Sequence, residues 1–375
     1  MKYLKEYRNG ENIKLIAAEI QKVTTRPWTL MEICGGQTHA IAKYNLLQLL
    51  PEEIQLVHGP GCPVCVTPQE IIDRAIAIAA VPNVIFCSFG DMLRVPGSDR
   101  DLLEVKADGG DVRIVYSPLQ ALNMAEQNPT KQVVFFAVGF ETTATANALA
   151  LSLAKQKQID NFYALISQFL VTPAIQSICA REDCRIQGFL AAGHVCAITG
   201  YRQYRRLVKI HQIPIVITGF EPLDILEGVL RCVRQLESGR CEVENQYQRA
   251  VTKTGNTVAQ DLIKEVFKVA TQQWRGIGEI PASGLVLSDD YSGFNAEQTF
   301  NLPALSISEN RGCISGDIML GLKKPGDCPH FAKTCQPQQP LGAPMVSTEG
   351  ACAAYYRYQN QVESNESAVS NSTNR

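Results

Sequence analysis

The stretch QVVFFAVGFETTATANALALSLAKQ, residues 132–156, changes its grammar at Glu141. Before Glu141 the residues form an almost unbroken apolar run of strand length. After it, small and apolar residues return at helical spacing as far as Gln156. An antiparallel strand with one wet face would alternate apolar and polar residues. A continuous run instead fits a parallel strand covered on both faces.

The same grammar repeats along the chain. TLMEIC (29–34) precedes a helix reaching Leu50, and IQLVH (54–58) precedes a helix over Pro68–Ala80. NVIFCSF (83–89) follows, and VRIVY (112–116) leads into a helix ending near Gln127. FYALISQFL (162–170) leads into a helix reaching Arg181, and QGFLAAG (187–193) and PIVITGFE (214–221) continue the series. Repeated strand–helix units imply α/β sheets with right-handed crossovers. An amphipathic pattern at Ile13, Ile16, Ala17, Ile20 and Val23 places a helix ahead of the first strand. Beyond Glu221, Leu223–Gly239 and Ala250–Trp274 read as long helices. Turn-rich PASGLVLSDDYSGF (281–294) and a Cys-, Pro- and Gly-dense stretch from Cys313 to Cys352 follow.

The expected fold is therefore α/β, with two doubly wound parallel-sheet domains and a smaller, helix- and loop-rich domain containing cysteines. The boundaries are an N-terminal helical segment at 1–28, a first α/β domain at 29–130 and a second at 131–225. A third domain with the Cys-rich region spans 226–358, and 359–375 is a polar, disordered tail. VGFETT (138–143) and TGFEPL (218–223) both place Gly-Phe-Glu where a strand gives way to a helix, an internal echo that supports two related halves.

The chain has 375 residues and a net charge of −2, with a pI near 6.3. That charge gives no broad basic field, so no nucleic acid and no anionic membrane is expected as a partner. The N-terminus, MKYLKEYRNGENIK, is charged throughout and lacks the apolar core of a secretory signal. No apolar run reaches the length of a membrane span. A cytoplasmic location is the expectation. In a reducing compartment thirteen cysteines need a reason other than structural disulfides. Cys87, Cys179, Cys196 and Cys232 read as core residues, since free cysteine packs as a small apolar group. The others carry the chemistry.

In open parallel sheets, ligands sit beyond the carboxyl ends of the strands. The unusual residues fall there: Cys34-Gly35-Gly36-Gln37-Thr38-His39, the run GPGCPVC (59–65), Gly90-Asp91, His194, and the two glutamates of the echo, Glu141 and Glu221. Cys34 stands before a glycine turn and a helix start, where free amides and the helix dipole favour a thiolate. A thiolate suits a soft or borderline metal. His39 is a candidate ligand or proton donor beside it. The alternative for this pair is a buried cysteine and a capping histidine. For Asp91, Glu141, His194 and Glu221 the choice lies between capping or crevice hydrogen bonds and a partner-contact or proton-relay role.

Cys62 and Cys65 form a single Cys-X-X-Cys pair. Thr67-Pro68-Gln69-Glu70 reads as a capping box with proline at the first helical position, which puts both cysteines in the glycine turn just ahead of a helix. No second Cys-X-X-Cys completes a zinc ribbon, so a reversible dithiol is preferred over half a structural zinc site. Cys313, Cys328, Cys335 and Cys352 form the other group. Their spacings lack the close pairs of structural zinc. They suit either an iron–sulfur cluster or four unlinked thiols.

MEICGGQTHAI, HGPGCPVCVTP, GFETTATA, GFEPLDIL, IPASGLVL and VSTEGACAAYYRY, in this order between Met31 and Tyr358, resemble the motifs of the HypD family of hydrogenase maturation factors. The resemblance implies a three-domain α/β protein carrying a [4Fe-4S] cluster in its third domain. It implies work with a HypC-like small chaperone and a HypE-like cyanide donor in assembling the Fe(CN)2CO group of [NiFe]-hydrogenase. Such a protein is a redox-active metallocentre assembly factor rather than a conventional turnover enzyme. By the same resemblance Cys34 looks like the ligand of the iron being assembled, with His39 its neighbour in the motif. Cys62 and Cys65 look like the redox dithiol, and Cys313, Cys328, Cys335 and Cys352 lie in the cluster region. The chain departs from the family at two places. Cys313-Ile314-Ser315-Gly316 stands where Cys-X-Cys-Gly is usual, and Gly342-Ala343-Pro344-Met345 where Gly-Ala-Cys-Met is usual. Proline cannot ligate iron, so if the cysteine usual at 344 is a ligand in the family, either Cys313 substitutes or the cluster in this chain is weak or absent. The rival readings are a general thiol–disulfide oxidoreductase, which needs only Cys62 and Cys65, and a purely structural iron scaffold without a redox step.

Overall fold

A computed structural model of the chain describes residues 5–302 and 312–358. The disordered tail expected at 359–375 lies outside the described residues. Eleven strands are described: β1 (Trp28–Glu32), β2 (Ile54–His58), β3 (Val84–Ser88), β4 (Asp111–Ile114), β5 (Gln132–Gly139), β6 (Phe162–Phe169), β7 (Gly188–Ala192), β8 (Ile215–Thr218), β9 (Val243–Asn245), β10 (Phe267–Trp274) and β11 (Gly278–Leu287). Between them run α1 (Gly10–Val23), α2 (Gly35–Lys43), α3 (Pro63–Val66), α4 (Gln69–Ala79), α5 (Leu102–Ala107), α6 (Pro118–Gln127) and α7 (Glu141–Gln156). The series continues with α8 (Val171–Cys179), α9 (Gly193–Thr199), α10 (Tyr204–His211), α11 (Pro222–Glu237), α12 (Thr257–Val266), α13 (Ala296–Phe300) and α14 (Ser315–Met319). Residues 351–358 form a further, C-terminal helix.

The strands make two sheets. The first has the order β2-β1-β7-β8-β9 and is parallel throughout. The second has the order β10-β11-β6-β5-β3-β4, with β3 to β6 parallel and the β10–β11 hairpin added antiparallel at the β6 edge. The α/β expectation with parallel sheets is what the structure has. The apolar runs are buried as their composition requires: β5 has only Gln132 exposed, and every residue of β3, β7 and β8 is buried.

The sheets do not divide the chain near residue 130. The first sheet takes strands from 28–58 and again from 188–245; the second takes 84–169 and 267–287. The second sheet's parallel strands are inserted between β2 and β7 of the first. A strand–helix grammar is the same in both sheets and carries no mark of which sheet a strand joins. The echo also falls on unlike places. Glu141 follows a strand next to the switch in strand order, whereas Glu221 follows β8, one strand further out.

Three local expectations are corrected. The helix read over Ala250–Trp274 covers only Thr257–Val266. Phe267–Trp274 is β10, whose pairing with β11 buries Phe267 and Trp274. Thr67 does not open a capping box. Its hydroxyl donates to the Pro63 carbonyl at 2.8 Å and meets the Ser167 hydroxyl at 3.1 Å, and α4 begins after Pro68 without a side-chain cap. Cys87, Cys196 and Cys232 are core residues as expected, but Cys179 is only half-buried.

Two helices close the first sheet on its outer face. Asn9 caps α1 by accepting from the amides of Glu11 and Asn12. The apolar face of α1 packs on α11, which opens with Pro222 and buries Ile225, Leu226, Val229 and Val233.

Candidate functional site

In each sheet the strand order reverses between two strands, and such a switch point leaves a crevice at the carboxyl ends. In the first sheet it lies between β1 and β7. The residues that follow those strands are Cys34 and His194. They face each other there, with Cys34 Sγ 3.6 Å from His194 Nδ1. The His194 ring leans on Phe220, with centroids 5.3 Å apart.

Cys34 is the N-cap residue of α2, as its place before the glycine pair predicts, and its carbonyl accepts from the amides of Gln37 and Thr38 at 2.9 and 3.0 Å. The dipole argument alone predicts a thiolate. Burial outweighs it: the residue is 1 % exposed, and burial, with the charges of Glu32 and Glu349, pushes the thiol well above its ordinary value. Burial also pulls His194 down to about 4. The pair at neutral pH is therefore a thiol against a neutral imidazole, and a metal binding there must displace the proton of Cys34.

Below this pair lies a fully buried carboxylate, Glu32. Its Oε2 accepts from the Cys34 amide at 2.9 Å, and its Oε1 accepts from the Thr38 hydroxyl and from His58 Nδ1, the latter at 2.6 Å. His58 Nε2 lies 2.8 Å from the Tyr355 hydroxyl. A buried carboxylate without such donors would cost several kcal/mol.

The Cys-X-X-Cys loop lies directly against the Cys34 loop. Gly61 donates to the Gly59 carbonyl, and its own carbonyl accepts from the Gly35 amide at 2.9 Å. A Cβ at position 61 would come within 2.3 Å of the Cys34 nitrogen, which is why a glycine stands there. Cys62 and Cys65 lie ahead of α4 as expected, but not in a glycine turn. They sit on a one-turn helix of their own, α3, with Cys62 as its N-cap and Pro63 in its first turn. They are joined as a disulfide with Cα atoms 5.2 Å apart, and both are buried.

Of two small hollows with a shared wall, one touches this disulfide. It is lined by Thr38, His58, Cys62, Cys65, Pro344 and Glu349 among others. The other is lined by all four remaining candidate cysteines, Cys313, Cys328, Cys335 and Cys352. Ile318 and Pro344 belong to both walls. The second hollow brings four cysteines together. Among the described residues no three His, Cys, Asp or Glu converge closely enough to hold one metal ion. Burial first, and then the neighbouring thiols, raises the proton affinity of Cys335 and Cys352. Cys335 Sγ accepts the Leu341 amide at 3.3 Å, the kind of donor that steadies a cluster-bound thiolate. Gly342 leaves room for Cys313, since a Cβ there would meet its sulfur at 2.4 Å. Cys313 thus lies on the wall of the hollow to which Pro344 also belongs.

His39 does not face Cys34. Its Nδ1 lies 3.2 Å from the Thr348 carbonyl and its Nε2 3.4 Å from the Tyr358 hydroxyl. Asp91 pairs with Arg94, and Glu221 pairs with Arg8 while capping α11. Glu141 is buried, accepts the Val171 amide at 3.0 Å, and burial raises its pKa to about 7. Sequence reasoning gave Glu32, His58 and Tyr355 no role. The signal was present, because Glu32 is a charged residue inside an apolar strand.

The HypD family model, described as "Hydrogenase formation hypA family", matches residues 11–359. The hydrogenase maturation factor HypD of Escherichia coli (strain K12) is 44% identical over 369 residues, 96% of this chain and 99% of its own. The protein of the same name from Cupriavidus necator is 44% identical over 369 residues, 96% of this chain and 97% of its own. The HupD hydrogenase expression/formation protein of Azotobacter chroococcum is 45% identical over 370 residues, 96% and 98% respectively. Among the described residues no helix is long and apolar enough to cross a membrane.

Proposed function

Because the chain belongs to the HypD family of hydrogenase maturation factors, we propose that it is the scaffold and redox centre on which an Fe(CN)2CO group is assembled, with a HypC-like chaperone and a HypE-like cyanide donor as partners. One observation carries this reading: the Cys62–Cys65 loop docks on the Cys34 loop, and the hollow beside the disulfide shares Ile318 and Pro344 with the four-cysteine hollow, although these parts come from residues 34, 62–65 and 313–352.

The incoming iron is the substrate. Cys34 holds it through its sulfur after giving up a proton, the His194 ring bounds the crevice, and the Cys34 backbone is fixed by Glu32. Cleaving the S–C bond of a thiocyanate takes two electrons and yields the donor thiolate and cyanide. Cys62 and Cys65 as dithiol release two electrons and two protons on closing to the disulfide, so the electrons balance, one proton goes to the donor thiolate and the other leaves to solvent as cyanide binds iron. A [4Fe-4S] cluster held by Cys313, Cys328, Cys335 and Cys352 would supply electrons singly to restore the dithiol. Ile318 and Pro344 wall both that hollow and the one beside the disulfide, so the two are separated by these shared side chains. Eleven free cysteines suit the reducing cytoplasm.

The test is iron retention by Cys34→Ala in the protein with its chaperone, followed by infrared bands of bound cyanide. The expected result is loss of both. Cyanide-bearing iron on the variant would overturn the assignment. A Cys62→Ser variant should bind iron but stall before ligand transfer. Undiminished transfer there would leave the purely structural scaffold. Turnover of generic disulfides by wild type, indifferent to Cys34, would favour the oxidoreductase.

A further inference from the structure

The C-terminal helix, residues 351–358, carries Cys352, Tyr355 and Tyr358 at three-residue spacing, which places them along one side. Each tyrosine hydroxyl meets a histidine Nε2: Tyr355 meets His58 at 2.8 Å and Tyr358 meets His39 at 3.4 Å. Both ring pairs are edge-on, with centroids 5.2 and 5.4 Å apart. The two histidines belong to different elements. His39 lies on α2, five residues after Cys34, and His58 ends β2, four residues before Cys62.

His58 joins the two ends of its line, with Nδ1 against Glu32 Oε1 at 2.6 Å and Nε2 against the Tyr355 hydroxyl at 2.8 Å. From Tyr355 the line runs through His58 to Glu32, and Glu32 holds the Cys34 amide. Every side chain along it is at least 96 % buried, so water cannot replace a lost partner. The second tie is longer, and its histidine also leans on the Thr348 carbonyl of the same C-terminal segment.

We propose that Tyr355 and Tyr358 are the two arms of a clamp by which the seating of the Cys352 helix sets the geometry of the Cys34 loop, with His58 as the central positioning residue. The inference rests on the cluster reading only for what seats the helix. The four-cysteine hollow closes when its ligand binds Cys352, and the clamp passes that ordering to the place where the iron is held. By linkage the effect is reciprocal: a filled Cys34 crevice favours a filled hollow.

The test uses the full chain and two readouts. In metal-free protein, Tyr355→Phe should speed hydrogen exchange of the Cys34 amide about tenfold, the loss expected for one buried hydrogen bond. Tyr358→Phe should do less, and Tyr356→Phe, whose ring rests on Phe331, should do nothing. The second readout is the rate of Cys34 alkylation before and after reconstitution with ferrous iron and sulfide. Wild type should slow on reconstitution, and Tyr355→Phe/Tyr358→Phe should lose that ratio while taking up the same iron and sulfide. A merely structural role would shift both rates together. An unchanged ratio in the double variant, or unchanged exchange in Tyr355→Phe, overturns the clamp. Failure of wild type to take up iron and sulfide sinks the cluster reading instead, and the exchange comparison then decides the clamp alone.

Discussion

The two sheets have the same local plan and opposite fates at their carboxyl ends. The first runs β2-β1-β7-β8 and the second β4-β3-β5-β6, so each has a switch point between its two innermost strands. In the first sheet that point holds Cys34 and His194 over a carboxylate with three donors. In the second, Ala343 and Val346 pack with Met92 and Leu93 just past β3, and the Val346 carbonyl accepts from Arg94 at 3.2 Å. The later chain covers this second crevice. Beneath it the hydroxyl of Ser88, Oε2 of Glu141 and Oε1 of Gln168 are buried without a protein partner. Topology thus offers two places for a site. The segment that returns late in the chain decides which one keeps its chemistry.

Four substitutions test that contrast. Gly61→Ala is the most severe, because its Cβ meets backbone atoms of Cys34 and Ile33 rather than a movable side chain. It should cost roughly 3 kcal/mol or more. The denaturant midpoint measures this, and a midpoint equal to wild type would mean that the two cysteine loops are not rigidly docked. On the plugged side, Glu141→Gln should change how stability depends on pH. The folded pKa of Glu141 is raised to about 7, so the unfolded chain ionises first. Wild type is therefore favoured below about pH 4.5 and loses stability as the pH rises to about 7, by roughly 3 kcal/mol at most. The glutamine variant should lack that loss, seen as a flatter midpoint profile from pH 4.5 to 8. Parallel profiles would show that the Glu141 site is hydrated.

The last two substitutions form a matched pair. Thr38→Val removes a donor to buried Glu32 at almost constant volume and should cost about 1–3 kcal/mol. Ser88→Ala removes a buried hydroxyl with no protein partner and should stay within about 0.5 kcal/mol of wild type. Equal costs in the pair, measured by thermal or denaturant unfolding, would erase the difference between the two crevices.

The strands were legible because each is an apolar run of fixed length. β2 matches its reading residue for residue, and β5 differs only where Phe140 and Glu141 turn into α7. Sheet membership was not legible. Nothing in IQLVH or NVIFCSF states that the first pairs with TLMEIC while the second begins another sheet. β10 was hidden because FKVATQQW follows a helix without a break, and its partner β11 alone makes it a strand. At the site, the glycines of CGG and GPG marked the close approach of two loops. The Cys34 thiol was read as ionised because a sequence displays a helix start but not how much water is excluded from it. His39 drew attention by proximity in sequence, whereas His194, 160 positions away, is the histidine at the sulfur.

The insertion of one sheet within the other also sets an order of events during synthesis. After β2 leaves the ribosome, roughly 130 residues must follow before β7 can pair with β1. At about 5–20 residues per second that is on the order of ten seconds. Through that interval β1 has only β2 beside it, a two-stranded ribbon of marginal stability. The crevice in which Cys34 meets His194 is thus among the last features of the first sheet to exist, although one of its two walls is made among the first.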